Sequence, residues 1–378
     1  GLATIAILST MVLVTLSGGA NIYAGGDYMQ KALFPHDMSI QGKGVTGEQM
    51  EQALTEFVNE QQLPVTKKVI YPYYTMGVTS RAGNQLDINV AAQKFVTPKT
   101  YILAISEADY QSMTGKSLDL GDDEVALYQQ GVKLDPKQDL QLAGQTFKIK
   151  EELKEDFIFG NLPDQMNMIV PEKIYMVLKN PSQVFSALMD KYAVNLDYYG
   201  GLNTRLSTEE QRNLRDAYQE KLHLFNLTLP ENQAVYGSVT AFDKQEIKGM
   251  LGGMFFIGIF LSIVFMLGTI LIIYYKQISE GYEDRDRFVI LQKVGLDEKQ
   301  IRQTIRKQIL IVFFLPLAFA FIHLTFAYHM LSLILSALGV LNSALMLAVT
   351  LGVCAIFFIS YVIVFMITSR SYRTIVSM

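Results

Sequence analysis

Residues 113–117, MTGKS, carry the glycine–lysine–serine ending of a phosphate-binding loop. In such a loop, backbone N–H groups and the lysine cradle the phosphates of a nucleotide. The pattern needs a glycine five positions before Gly115, and Tyr110 stands there, so no nucleotide site is expected. The acidic run 119–124, DLGDDE, could offer oxygens to calcium but lacks the EF-hand spacing; a solvated turn is the plainer reading. Asn226 opens an NLT sequon, which matters only in a secretory pathway. His36 and His223 stand alone, and Cys354 is the single cysteine, inside an apolar run. No disulfide within the chain, Cys/His metal cluster or Ser/His/Asp arrangement is available. We therefore expect no catalysis, no bound cofactor and no nucleic-acid partner.

A different kind of motif lies at 285–308, RDRFVILQKVGLDEKQIRQTIRKQ. It reads as two short amphipathic helices joined at a glycine. Phe288, Leu291 and Val294 recur at i, i+3 and i+6, giving an apolar edge with Arg285, Arg287 and Lys293 around it. Gly295 suits the left-handed residue that ends a helix. Asp297 is placed to cap the next helix, with Gln300 three positions on. Ile301, Ile305 and Ile309 line one face of that second helix, which runs on into an apolar segment.

The elements around this motif are apolar. The 378 residues are 50% hydrophobic and 18% charged, with a mean hydropathy of +0.22. The apolar residues gather at 2–16, 250–275, 309–335 and 344–367. A membrane-spanning helix needs about 20 apolar residues, and the last three runs supply them without a Lys, Arg, Asp or Glu. The first run, GLATIAILSTMVLVTLSGGANIY, has no basic residue ahead of it and so does not read as a signal peptide. It reads as a spanning helix whose cytoplasmic end is cut away, the chain being the C-terminal part of a longer protein. Spanning helices are expected over 1–20, 247–275, 308–335 and 344–368.

Charge sets the topology. Lys276, Arg285, Arg287, Lys293, Lys299, Arg302, Arg306 and Lys307 lie between the second and third runs. Arg370 and Arg373 follow the fourth, whereas 336–343 holds no Lys or Arg. The positive-inside bias places the loop 276–307 and the tail 369–378 in the cytoplasm. By parity 21–246 is outside. That outer stretch carries 21 Lys and Arg against 30 Asp and Glu, a net −9, while the remainder carries 11 against 6, a net +5. An acidic outer face attracts cations at long range and also keeps a domain soluble.

Residues 21–246 mix both periodicities, predicting an α+β domain, of two lobes divided near 160–181. Residues 48–62 place Met50, Ala53, Leu54, Phe57 and Val58 on one helical face, with Thr46 as N-cap. Strands are predicted in KVIYPYYTMGVTS, LDINVAAQKF and MNMIVPEKIYMVL. KTYILAISEADYQSMTG predicts a strand running into a short helix, and LDLGDDEVALYQQG and LQLAGQTFKIKEEL predict strands with glycine turns. A helix is predicted over 207–225, opened by a capping box from Ser207 to Glu210. The fold class is thus an integral membrane protein: four transmembrane α-helices with a large α+β domain inserted between the first and second.

This layout, with YYKQISEGYEDRDRFVILQKVGLDEKQIRQTIRKQILIVFFLPL at 274–317, resembles the FtsX/MacB-type permeases of type VII ABC transporters. The outer segment ILAISEADYQSMTGKSLDLGDDEVALY, 102–128, is also similar to ectodomains of that superfamily. Within it the chain looks most like the last four helices of BceB-like permeases of Gram-positive bacteria, which protect against bacitracin, lantibiotics and related cell-wall peptides. The resemblance implies a non-catalytic subunit in the plasma membrane whose partner, a cytoplasmic ABC ATPase dimer, binds the ATP. It implies that Arg285, Arg287, Phe288, Leu291, Val294 and Gly295 dock that ATPase as a coupling helix. Ile301, Ile305 and Ile309 would transmit its movement. It further implies a peptide or lipid-linked peptide target outside and a sensor histidine kinase partner. Other readings are an FtsX-like regulator of an extracellular wall hydrolase, whose ectodomain is usually smaller, and a membrane-anchored sensor without an ATPase. For the motif alone, the alternative is an amphipathic helix resting on anionic lipid. Gly249, Gly252 and Gly253, where the second spanning helix begins, are expected to pack closely or to hinge.

Overall fold

The computed structural model describes residues 2–88, 98–163, 172–189, 191–192, 194–293, 298–337 and 343–377. Side chains are described throughout these ranges except at 284–289, 291–293, 298–302, 304–306, 308–309, 337 and 370–377. The chain divides into two compact units, Gly1–Tyr28 with Lys248–Met378, and Met29–Ile247.

The first unit is built from four helices long and apolar enough to cross a membrane. They are α1 (Leu2–Leu33), α7 (Thr240–Lys293), α8 (Glu298–Ala337) and α9 (Ser343–Ser377), the intervening helices belonging to the other unit. The protein is thus a multi-pass membrane protein with the expected layout. The helices overrun their expected ends: α1 continues to Leu33 and α7 begins at Thr240. A 32-residue helix is roughly 48 Å long, well beyond the hydrocarbon thickness of about 30 Å. All four helices bury side chains in one apolar cluster, from Ile5 and Leu13 of α1, Ile273 of α7, Phe313 and Leu317 of α8, and Val353 and Tyr361 of α9. Pro316 sits inside α8 and cannot donate to the carbonyl of Val312. Tyr361 Oη donates to the neighbouring carbonyl of Phe313 at 2.9 Å. A neighbouring helix thereby supplies a donor where the proline weakens the ladder.

In the second unit the described residues form one sheet of 11 strands flanked by helices. The strands are β1 (Met38–Lys43), β2 (Val65–Val78), β3 (Ser80–Ala82), β4 (Gln85–Asp87), β5 (Thr100–Ser106), β6 (Glu124–Gln130), β7 (Leu140–Leu142), β8 (Gln145–Glu152), β9 (Glu172–Leu178), β10 (Val194–Thr204) and β11 (Ala234–Val239). Their order across the sheet is β11-β1-β10-β2-β5-β9-β6-β8-β7-β4-β3. The flanking helices are α2 (Gly47–Glu60), α3 (Glu107–Thr114), α4 (Pro181–Met189), α5 (Thr208–Asn213) and α6 (Arg215–Asn226). β9 pairs with both β5 and β6, so the lobe boundary expected near 160–181 is no break in the sheet.

Local sequence explains much of this. Thr46 and Gln49 close the capping box of α2, and Met50, Ala53, Leu54 and Phe57 are buried. Ser207 and Glu210 form the second capping box, but the helix it opens is divided at Leu214, whose N–H turns back to Gln211. On one face of the sheet α2 and α6 share a core with β1, β10 and β11. Gly200 permits this approach, since a Cβ there would lie 2.6 Å from Ile40 and 2.9 Å from Leu54. At the edge formed by β11, the carbonyl of Gly237 and both backbone groups of Val235 bond side chains of α6. Gln219 Nε2 donates to the Gly237 carbonyl at 2.8 Å. Asn226 both donates to the Val235 carbonyl (2.9 Å) and accepts from its N–H (2.7 Å). α6 thus satisfies an edge that would otherwise invite another strand. The same contacts engage the NLT asparagine within the fold.

Candidate functional site

The helices α1 and α7 are rooted in neighbouring strands. β1 follows α1 after four residues, and β11 runs straight into Thr240. The two strands pair antiparallel, with Met38 opposite Val239. Thr240 fastens the roots: its N–H donates to the Asp37 carbonyl at 2.8 Å and its hydroxyl to the His36 carbonyl at 2.5 Å. The Asp37 carboxylate accepts from Thr204 N–H at 2.8 Å, and Asp37 N–H donates to Asn203 Oδ1 at 3.2 Å, tying β10 in as well. The His36 ring is 3% exposed and shares a 2.9 Å hydrogen bond with Tyr199. It fits because position 201 is glycine, where a Cβ would stand 2.5 Å from the ring. Burial, reinforced by the positive charge of Lys67 and partly offset by Asp37, holds the imidazole down at about 4. His36 is a neutral packing residue at physiological pH, set among the hydrogen bonds that fasten Thr240 to the segment before β1.

Within the membrane unit α1 is the polar hub. Thr15 and Ser262 of α7 share a 2.8 Å hydrogen bond, Thr10 meets His323 of α8 at 3.2 Å, and Ser17 meets Thr350 of α9 at 2.9 Å. Asn21 Nδ2 also donates to Thr350 Oγ1 at 3.1 Å. The contact of α1 with α7 is a close backbone crossing. A Cβ on Gly258 would lie 2.9 Å from the Thr15 carbonyl and 3.2 Å from Gly19 Cα. Gly26 faces Leu251 at 3.0 Å by the same measure, and Tyr23 stacks on Phe255 at 4.9 Å. Small residues let membrane helices approach this closely. Gly249, Gly252 and Gly253, expected to pack closely or to hinge, make no close packing contact among the described residues: a Cβ on any of them meets nothing within 4 Å. The signal that marks the true seam is the pairing of Thr15-x3-Gly19 with Gly258-x3-Ser262, small residues four apart on both helices.

The expected ATPase-docking residues fall at the far end of α7. Arg285, Arg287, Phe288 and Leu291 belong to that single helix, which runs unbroken to Lys293. The short separate helix expected from 287 is therefore absent. Apart from Gly281, residues 276–293 contain no glycine or proline to interrupt α7, and one interior glycine costs only about 1 kcal/mol. Val294 and Gly295 lie outside the described residues, as does Asp297. Ile301, Ile305 and Ile309 lie in α8, which joins the motif to a spanning segment as expected. Exposed Tyr274, Tyr275 and Tyr282 mark this end of α7, the amphipathic aromatics typical of a membrane interface.

Among the described residues no group of His, Cys, Asp and Glu could hold a metal ion. An open groove of about 720 Å³ lies between α2 and the sheet. Ile70, Pro72 and Tyr198 form its floor, and Glu48 and Glu51 its rim. Such a surface can bind, and it presents no nucleophile–base pair.

Comparison with known proteins gives the chemistry a context. Over 117 residues the chain is 33% identical to the ABC transporter permease protein YxdM of Bacillus subtilis strain 168, covering 31% of this chain and 18% of the relative. Over 129 residues it is 30% identical to the uncharacterized ABC transporter permease YvcS of the same strain, covering 34% and 19%. Both relatives are ABC transporter permeases. The similarity supports an ABC permease family for this chain, through matches that span about a fifth of the relatives' own length. No protein-family model matches. A crystal structure of a candidate lipoprotein from Bacillus anthracis aligns with 53% of this chain and 96% of its own, at 6% identity and a TM-score of 0.25, too low to bear on the fold.

Proposed function

We propose that the chain is part of the membrane subunit of an ABC transporter that couples cytoplasmic ATP hydrolysis to movement of its outer sheet domain. The observation that carries this reading is the similarity to two ABC transporter permeases. The architecture agrees, with four spanning helices and a sheet domain rooted on two of them. A cytoplasmic ATPase dimer binds and hydrolyses the ATP. It docks on the apolar edge of Phe288, Leu291 and Val294, steered by Arg285 and Arg287. Gly295 ends the docking segment, and Ile301, Ile305 and Ile309 pass movement into α8. Outside, the domain engages a cell-wall-targeting antimicrobial peptide or its lipid-linked target, for resistance or for signalling to a histidine kinase. The acidic rim and apolar floor of the groove beside α2 suit a cationic amphipathic ligand.

Phe288→Asp tests the docking directly. Truncating or charging a central anchor costs about 2 kcal/mol or more, on the order of 30-fold in affinity. The ATPase that co-purifies with the full-length wild-type protein should be lost from Phe288→Asp and from Gly295→Pro. Undiminished co-purification with Phe288→Asp would sink the coupling assignment.

A further inference from the structure

One stripe of α1 is buried at four-residue spacing. Ser9, Leu13, Ser17 and Asn21 are each 0–1% exposed. Ser17 and Asn21 meet Thr350 of α9, and Asn21 Nδ2 also donates to the Ser17 carbonyl at 2.8 Å. Yet the Ser9 hydroxyl and Asn21 Oδ1 have no hydrogen-bond partner among the described residues. Asn21 thus uses its amide N–H groups in this contact, and its oxygen is uncommitted among the described residues.

The other helix contacts differ in kind. α1 and α7 cross with their backbones nearly touching at Gly19 and Gly258, backed by Thr15 on Ser262 and Tyr23 on Phe255. α8 and α9 interlock through aromatics: Phe313 packs on Phe365 at 4.9 Å and on Tyr361 at 6.2 Å, and Tyr361 bonds the Phe313 carbonyl. Among the described residues, apolar side chains, the Thr350 cluster and the exposed Thr10–His323 contact lie between these two pairs. Apolar packing in lipid resists sliding less specifically than a hydrogen bond or a backbone crossing does.

We propose that the membrane unit is two rigid helix pairs, α1 with α7 and α8 with α9, and that the Ser17–Asn21–Thr350 cluster is the latch between them. The latch closes in the state described and opens when one pair shifts along the other, as packed interfaces switch between discrete arrangements. Only the driving force, ATP turnover on the cytoplasmic side, rests on the permease reading.

The test uses paired cysteines in the full-length protein with Cys354→Ser, in native membranes. Thr15→Cys with Ser262→Cys reports within a pair, and Ser17→Cys with Thr350→Cys reports across the latch. The hydroxyl oxygens lie 2.8 Å apart at the first site and 2.9 Å at the second, so sulfurs in their places come within reach of one another. Under an added oxidant, the first pair should cross-link equally with and without ATP and vanadate, and its disulfide should leave ATP turnover intact. The second should cross-link in one condition only, and its disulfide should block turnover. Equal behaviour of the two pairs while a bound ATPase turns over, or the reverse pattern, overturns the latch. A second arm needs no ATPase. Its reporter is Thr10→Cys with His323→Cys, a contact that also spans the two pairs and leaves the latch residues in place. Asn21→Val removes latch hydrogen bonds and should lower the 10–323 yield several-fold while leaving the 15–262 yield unchanged, which also certifies the fold. An unchanged 10–323 yield overturns the latch on its own. If this arm succeeds while ATP affects neither pair because no ATPase is present, the permease reading fails and the latch stands.

Discussion

His36 shows how one residue is given its packing role by partners distant in sequence. The imidazole is buried against Tyr199 over Gly201, with its affinity for a proton lowered to about 4 from an ordinary 6.5. The unfolded chain protonates His36 near 6.5 and the folded chain only near 4. Between those values the unfolded state holds more protons, so stability falls as pH falls. The loss is largest below about pH 4 and reaches at most about 3 kcal/mol. The apparent melting temperature of the full-length protein in detergent should therefore fall from pH 6.5 to 4, and His36→Gln should flatten that slope. An equal slope in the variant would assign the acid sensitivity elsewhere. Nothing in the sequence around His36 announces this role. Its partner lies 163 positions away on β10, and only the sheet register brings the two together.

Elements with local signals were readable in the sequence; those made by tertiary contact were not. The α2 and α5 capping boxes and the apolar face of α2 follow from residues within one turn of each other. β10 has no such signal, because Asp197, Gly200, Gly201 and Asn203 read as turn residues. In the fold those glycines make room for Leu54 on one face and His36 on the other. The glycine seam was misplaced for a related reason: composition singles out Gly249, Gly252 and Gly253, whereas close approach needs matching small residues on a second helix. The docking motif was legible as a pattern, with its helical backbone borne by α7 and α8, and its side-chain roles remain proposals. At this scale the closed sheet edge is testable. Asn226→Ala deletes two hydrogen bonds to β11 and should cost about 1–3 kcal/mol. Exposing Val235 should also promote self-association through the edge strand. Size-exclusion chromatography of the purified variant checks this, and a monodisperse, equally stable Asn226→Ala would show the edge to be protected otherwise.

For the whole molecule, the layout is that of a multi-pass membrane protein with a sheet domain between its first and second spanning helices. Among its described residues it assembles no metal cluster, and its phosphate-loop fragment lacks the first glycine. What it does assemble is a pair of helices, α1 and α7, rooted in paired strands and fastened by Thr240. An input at the cytoplasmic end of α7 and α8 should then be felt at β1 and β11 before it reaches the far edge of the sheet at β3. Hydrogen–deuterium exchange on the full-length protein bound to its ATPase tests this most directly, comparing the nucleotide-free complex with the complex held by ATP and vanadate. The coupling account predicts altered amide protection in Met38–Lys43 and Ala234–Val239 between the two states. Identical exchange in both strands while the bound ATPase turns over would contradict it.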